Sequence, residues 1–354
     1  MAARIAINGA FVGRPVTGLE RFARECVRAL DGLVEPGVFR LVVPPGADLA
    51  ELAGLRNIDV AVRGFGRGAF WEQVCFGPYA RLRGLRTLNL CNTAPFLRTG
   101  VVCIHDVFYR SRAADFAGTL RGRLSSLWHR LHYAWCARRA DRIVTVSRHS
   151  AEEIARCYGV PSGRIVVAGN GWGHLSRIVA DDGVFARFPD LAPGGYFLAL
   201  GSRAPNKNFR WIERTAARNP DLRFVVAGGV LASAASTASA ARPNLFTTGR
   251  VTDGEMKALL QRCRALLFPS LEEGFGIPPL EALALGRPAV VADRPPMREI
   301  YGDAVHYILD PEGDSETDVA ALLATPAASP QGVLARHTWV NVARAVLAAV
   351  VPIR

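Results

Sequence analysis

PSLEEGFGIPPLEALALGRP, residues 269–288, decides how this chain is read. Gly274, Gly276 and the Pro278–Pro279 pair mark a loop that turns into a helix. Glycine lets the backbone come close to a ligand, and proline is favoured in the first helical turn. The pattern predicts a helix N-terminus near Pro278, with Glu281 in the first turn and Glu273 in the loop above it. Such an end carries unpaired N–H groups and partial positive charge that suit phosphate, while nearby carboxylates accept hydrogen bonds from sugar or ribose hydroxyls. On the plainer reading Glu281 complements the helix dipole and Glu273 is a solvated loop charge.

The whole string favours the first reading. EGFGIPPLEALALGRP, followed by AVVADRPPMREIYGDA, resembles the donor-binding segment of the retaining glycosyltransferases of family 4, whose signature is Glu, seven residues, Glu. The resemblance implies the α/β GT-B fold, two Rossmann-like doubly wound domains facing across a cleft. It also implies a donor site that takes in Glu273, Gly274, Phe275, Gly276, Ile277 and Glu281, with Glu281 on the ribose hydroxyls and Glu273 on those of the sugar.

A length of 354 residues exceeds what one core usually organises, so two domains of roughly 170 residues are expected. With 50% hydrophobic and 21% charged residues the composition is that of a soluble globular protein. Seven cysteines, an odd number without a C-x-x-C pair, suggest reduced thiols in a cytoplasmic protein, and no metal-ligand cluster is visible. MAARIAINGAFVG at the start reads as a first strand and not as a signal peptide. No run approaches the ~18 apolar residues of a membrane-spanning helix.

The net charge of +12 is unevenly spread. Residues 101–150 hold nine arginines (110, 112, 121, 123, 130, 138, 139, 142 and 148) against Asp106, Asp115 and Asp141. Phe108, Phe116, Leu120, Leu124, Trp128, Leu131 and Trp135 lie among them, which reads as a basic helical face with apolar neighbours. Such a face suits anionic lipid head groups, at about 1 kcal/mol per well-placed basic side chain. A solvated face whose aromatics are core is the alternative, and nucleic acid a third.

From the start, residues 4–8 read as a strand, 9–18 as a glycine-bearing loop, and LERFARECVRAL from Leu19 as a helix with an apolar stripe. Strand, loop and helix in this order make phosphate sites in doubly wound sheets, although no G-x-G-x-x-G is present. TGLERFARE resembles the glycine loop of the same transferases, which implies Thr17 and Gly18 against the donor diphosphate. Further short strands at 40–43, 58–62, 86–90 and 101–104, with helical patterns such as FWEQVCFGPYARL (70–82) between them, predict a parallel sheet covered on both faces. The last of these strands delivers His105 and Asp106. A structural hydrogen-bonded pair is one reading; the family's similar His-Asp element implies a place at the reaction centre. In 141–160, Ser147 reads as a helix cap.

The boundary falls after RIVVAGNG (164–171), which predicts an acceptor-binding domain over 1–175, a donor-binding domain over 176–335, and a last helix over 336–354 packing back toward the first. Family members usually carry Asn-Gly-Val-Asp at this junction, where this chain has Asn170-Gly171-Trp172-Gly173-His174. The second domain opens on a strand over 196–201 and the loop GSRAPNKN. There Gly201, Arg203 and Lys207 resemble the family's diphosphate grip. Arginine can pair two phosphate oxygens and lysine supplies a mobile point charge. Strands are predicted at 222–228, 244–249 and 265–270, a short helix or loose loop over VLASAASTASAARP, a helix capped by Thr252 or Asp253 with Glu255, and one final helix over 331–351.

These readings imply transfer of a hexose from a nucleoside diphosphate sugar to a hydroxyl acceptor. Arg203, Lys207 and helix ends would stabilise the leaving diphosphate without a metal or other cofactor, in keeping with the lack of a D-x-D motif. His105, Asp106, Glu273, Arg203 and Lys207 are the candidate catalytic residues. The TGLERFARE loop, FWEQ and HDVFYR together resemble builders of bacterial surface polysaccharide that use GDP-mannose; UDP-glucose and dTDP-rhamnose stay open. A lipid-linked oligosaccharide at the cytoplasmic membrane face is the implied acceptor, with peripheral attachment. Two alternatives persist: a GT-B nucleotide-sugar epimerase, and a non-enzymatic basic protein binding lipid or nucleic acid.

Overall fold

The computed structural model describes residues 4–107, 120–188, 191–201, 204–228, 242–313 and 317–351, with backbone only over 120–126. The chain divides into two compact units, residues 1–170 together with 338–354, and residues 171–337.

Unit 1 is built on seven strands: β1 (Ile5–Asn8), β2 (Phe39–Val43), β3 (Asp59–Val62), β4 (Arg86–Asn89), β5 (Val101–Cys103), β6 (Arg142–Thr145) and β7 (Ile165–Val167). They pair in parallel in the order β3-β2-β1-β4-β5-β6-β7. Residues of β1, β2 and β5 are buried along nearly their whole length. That is why these strands read as unbroken apolar runs: a parallel sheet carries helices on both faces. The edge strand β3 is the most open, with three of its four positions exposed.

Unit 2 carries six strands: β8 (Tyr196–Leu200), β9 (Arg223–Ala227), β10 (Leu245–Gly249), β11 (Ala265–Phe268), β12 (Ala289–Ala292) and β13 (His306–Ile308). Their order is β10-β9-β8-β11-β12-β13, again parallel throughout. Phe197, Trp211, Ile212, Phe224, Val226, Leu267 and Val290 lock the sheet to the Phe209–Arg218 helix. Both sheets are doubly wound, and each reverses its winding once: between β1 and β4 in unit 1, between β8 and β11 in unit 2. Loops leave these two strands toward opposite faces, which opens a crevice above their carboxyl ends.

Several helix ends follow the sequence reading. Ser147 Oγ accepts from the Ser150 amide, and Thr252 with Glu255 forms a reciprocal capping box. Other expectations change. The helix over residues 68–82 contains a wider π turn, Glu72–Phe76, that draws Glu72 inward. The helix after the 269–276 loop starts at Ile277 and runs to Ala284, so Glu281 lies in its second turn and not its first. The last stretch is two helices, Gln331–Arg336 and Trp339–Val350, broken at His337 and restarted by Thr338, whose hydroxyl accepts from the Asn341 amide. The unit boundary falls at 170/171 where the sequence suggested 175, because side chains of residues 172–174 are anchored within unit 2. VLASAASTASAARP lies almost wholly outside the described residues.

The Trp339–Val350 helix belongs to unit 1, where it packs along the Gly18–Asp31 helix and against β6 and β7. Trp339 meets the ring of Phe22 edge-on at 6.2 Å. Emptying that site should be costly, since large-to-small core changes lose both transfer energy and packing. Trp339→Ala is expected to lower stability by about 3–5 kcal/mol in urea unfolding. Val340→Ala, on the exposed side of the same helix, should cost under about 0.5 kcal/mol.

Candidate functional site

Two loops leave the crevice of unit 2, residues 201–208 after β8 and residues 269–276 after β11. They are stitched together by asparagines. The Asn206 carbonyl accepts from the Leu271 amide at 2.8 Å, and its side chain donates to the Glu272 carbonyl at 3.1 Å. Asn208, held at φ +50°, donates to the carbonyls of Pro269 and Pro311. Asparagine tolerates this left-handed conformation better than most residues, which explains its place in PNKN.

The stitching fixes the chemistry. Lys207 Nζ lies 2.5 Å from Glu273 Oε1, so the two predicted residues form an ion pair that bridges the loops over the strand ends. Lys207 also sits 5.4 Å from the centre of the Phe268 ring. Gly201 follows β8 directly and donates its amide to Ala227. Gly228, at φ +127°, comes so near that a Cβ there would stand 2.2 Å from the Gly201 oxygen. Arg203 lies outside the described residues.

Below the loop, Gly276 adopts φ +81° and its carbonyl accepts from the buried Tyr301 hydroxyl. Burial pushes the Tyr301 phenol well above its ordinary pKa, so it stays a donor to that carbonyl. Phe275 is buried against Tyr301 and His337, and so supports the loop from beneath with its side chain. Gly274 and Ile277 are half-buried on either side. Pro278 and Pro279 have no N–H to give, so the free backbone donors at this helix end are the amides of Gly276, the cap, and Ile277, the first helical residue. Glu281 presents its Oε1 to His174 Nε2 at 2.7 Å. Sequence reasoning missed His174. Its signal was the departure from Asn-Gly-Val-Asp at the junction, but nothing in the sequence ties residue 174 to residue 281.

In unit 1, Thr17 precedes the Gly18–Asp31 helix, and its hydroxyl and amide both donate to Glu20. A Cβ on Gly18 would meet no atom within 4 Å, so packing inside the unit does not demand glycine there. His105 is buried next to this helix, with Phe22 edge-on at 4.6 Å. Its Nε2 is 3.0 Å from the Leu90 carbonyl and 3.3 Å from Cys103 Sγ, and its amide donates to Asn92 Oδ1 at 2.8 Å. Burial lowers its pKa to about 4, which leaves the ring neutral near pH 7. A carbonyl can only accept, so Nε2 carries the proton and Nδ1 keeps the lone pair. Asp106 follows, half-buried.

The Leu120–Arg139 helix carries an apolar face that the core does not absorb. Leu127, Trp128, Leu131 and Trp135 are exposed, Leu131 by 63%, so the expectation that these aromatics might be core does not hold for Trp128 or Trp135. Phe96 and Leu97 extend the patch, with Phe96 edge-on to Trp128 and Trp135 and tilted over His132. Arg130, Arg138 and Arg139 are exposed on the same helix, and Arg139 lies 5.0 Å over the Trp135 ring. Residues 108–119, with Phe108, Arg110, Arg112 and Phe116, fall outside the described residues.

A family model described as Glycosyltransferase Family 4 matches residues 16–172, and one described as Glycosyl transferases group 1 matches residues 194–329. The chain is 26% identical over 225 residues to the O-antigen chain mannosyltransferase RfbU of Salmonella typhimurium, covering 61% of this chain and 58% of that protein. It is 29% identical over 186 residues to the O-antigen chain mannosyltransferase B of Escherichia coli, covering 47% of this chain and 46% of that one. The chain thus matches about half the length of these relatives. Among solved structures, the Anabaena protein HepE in complex with UDP and glucose superposes with a TM-score of 0.68 at 15% identity, with 98% of each chain covered. WaaG, a glycosyltransferase involved in lipopolysaccharide biosynthesis, does so at 0.62 and 16%, covering 97% of this chain and 95% of that one. Two parallel doubly wound units, and two family models that between them take in most of the sequence, make this chain a member of the family 4 glycosyltransferases, on the GT-B plan.

Proposed function

We propose that this protein is a retaining, metal-independent glycosyltransferase that moves a hexose, mannose foremost, from a nucleoside diphosphate sugar to a hydroxyl of a lipid-linked oligosaccharide in cell-surface polysaccharide synthesis. The observation that carries the reading is the Lys207–Glu273 pair over the carboxyl ends of β8 and β11. A cation and a carboxylate held together at a winding reversal are what a donor with a charged diphosphate and a hydroxyl-rich sugar requires. The names of the relatives support mannose as the sugar.

Breaking the bond between the sugar and the diphosphate moves negative charge onto the leaving phosphate. Lys207, with Arg203 in the same loop, would stabilise that charge electrostatically, aided by the amides of Gly276 and Ile277. Gly274 and Phe275 contribute backbone to the same loop, Gly201 would offer its own at the start of the β8 loop, and Gly228 lets the chain after β9 come close to it. Glu273 would accept from sugar hydroxyls and Glu281 from those of the ribose. Thr17 and Gly18, at the start of the Gly18–Asp31 helix, would lie against the diphosphate. Neutral His105 would act through hydrogen bonding and not as a cationic acid, with Asp106 beside it at the reaction centre.

The exposed patch of the Leu120–Arg139 helix supports an anionic membrane surface as the place of work. Tryptophan favours the bilayer interface, and arginines around it pair with lipid phosphate. That helix carries no acidic residue to oppose them. Among the described residues no helix is long and apolar enough to cross a membrane, so attachment would be peripheral.

Melting scans with GDP, UDP, dTDP and their sugars, without added metal, test the donor site. One nucleotide at a hundred times its Kd should add about 2.7 kcal/mol of stability. Glu281→Ala and Lys207→Ala should each abolish most of that gain, and no shift with any nucleotide would remove the transferase reading. Co-sedimentation should show binding to vesicles rich in anionic lipid and little to neutral ones, reduced at least tenfold in Trp128→Ala/Leu131→Ala/Trp135→Ala; equal pelleting with both sinks the membrane role. The His105 pKa, about 4 against an ordinary 6.5, means the unfolded chain takes up a proton that the folded one resists. Its contribution is therefore complete above pH 6.5 and lost as pH falls toward 4, about 3 kcal/mol in all. Urea unfolding of His105→Gln should show a correspondingly shallower loss of stability with acid.

A further inference from the structure

We propose that His174 is a positioning residue for the nucleotide, acting through Glu281: it holds that carboxylate in place before any ligand arrives. The proposal rests on the donor-site reading above and assigns it a residue that the family's junction sequence, Asn-Gly-Val-Asp, does not supply.

The geometry is direct. His174 is 2% exposed and its Nε2 stands 2.7 Å from Glu281 Oε1, while Glu281 itself is 16% exposed. The imidazole is thus the inner partner and the carboxylate the outer one, which can still be reached. An ionised carboxylate only accepts, so Nε2 donates, and the bond fixes both the tautomer of the ring and the rotamer of the acid. Two oxygens give a carboxylate about four acceptor sites, so the hold on Oε1 leaves capacity for a pair of ribose hydroxyls.

The anchor is itself held. Two residues earlier, Trp172 Nε1 donates to the Leu334 carbonyl at 3.0 Å. Just after it, Lys257 Nζ bridges the carbonyls of Leu175 and Ile178 at 2.8 and 2.7 Å, and Ser176 Oγ closes a turn onto the Gly173 carbonyl. A short 3-10 segment, Gly173–Arg177, carries the ring. Its backbone therefore has little freedom, and neither has the imidazole. A free glutamate must be ordered when a ligand binds, at a cost in rotamer freedom. One ordered beforehand binds more tightly through the same contacts. Partners that orient the ligands of a metal ion change affinity by about 10–100-fold when removed, and a carboxylate held for a ribose is expected to respond near the lower end of that range.

The test is calorimetric titration with whichever of GDP, UDP or dTDP the melting scans select. His174→Ala should weaken that nucleotide by about tenfold or more, raising the KM for the sugar donor while the KM for the acceptor holds. His174→Gln, whose amide nitrogen reaches about as far as Nε2, should recover most of the affinity. Adding His174→Ala to Glu281→Ala should change nothing further, because the histidine acts through the acid. A change that merely loosened the fold would weaken binding in both backgrounds and would not be recovered by glutamine; either result overturns the proposal. So does unchanged affinity in His174→Ala where Glu281→Ala binds poorly, and in that case the donor site stands. If Glu281→Ala binds nucleotide like the parent, the donor-site reading falls and takes this proposal with it.

Discussion

The pairing of β8 with β11 is the constraint on which the rest of unit 2 depends. Strands wound outward from that pair send their connections to opposite faces of the sheet, so the two loops must part above it. A gap of this kind cannot be closed by apolar side chains without losing the backbone's hydrogen bonds. The chain closes it with asparagines that satisfy main-chain groups of both loops, and it leaves charged side chains on top. Lys207 and Glu273 meet because of that stitching. Without Asn206 and Asn208 each would be an ordinary surface charge.

The corresponding reversal in unit 1, between β1 and β4, is filled differently. Asn8 at the end of β1 donates to Glu72 at 2.7 Å and to Asn89 of β4 at 3.1 Å, and Thr93 adds a bond to the same carboxylate. Glu72 arrives there because the π turn brings it round, and burial raises its pKa against the opposing pull of those hydrogen bonds. It is 2% exposed. A polar group so enclosed holds its surroundings together, whereas the carboxylates of unit 2 are reachable. One topology thus serves two purposes, according to whether the crevice is plugged or left open.

Strands buried on both faces were legible because they must be apolar throughout, and the strand ends came within a residue or two. Turn chemistry was legible for the same local reason: Gly276 takes a positive φ, Ser147 and Thr252 cap helices, and Pro278 lies at the second helical position. What escaped were features that depend on distant partners. The π turn at Glu72 answers to Asn8 and Thr93, the break at His337 to the face that Trp339 must turn toward Phe22, and His174 to Glu281. Periodicity carries no record of a partner a hundred residues away. The departure from the family's junction sequence flagged residues 172–174 without saying what they did.

Unit 2 is inserted into unit 1, whose Trp339–Val350 helix is synthesised only after the whole of unit 2. Until Trp339–Val350 is made, the side of the Gly18–Asp31 helix that this later helix packs along, Phe22 among it, lacks that cover. The nascent chain must therefore keep an apolar surface on its amino-terminal half while the whole of unit 2 is synthesised and folds. Order of synthesis and order of completion are reversed between the two units: the one entered first is completed after the other, and the interval is the time when a chaperone has something to hold.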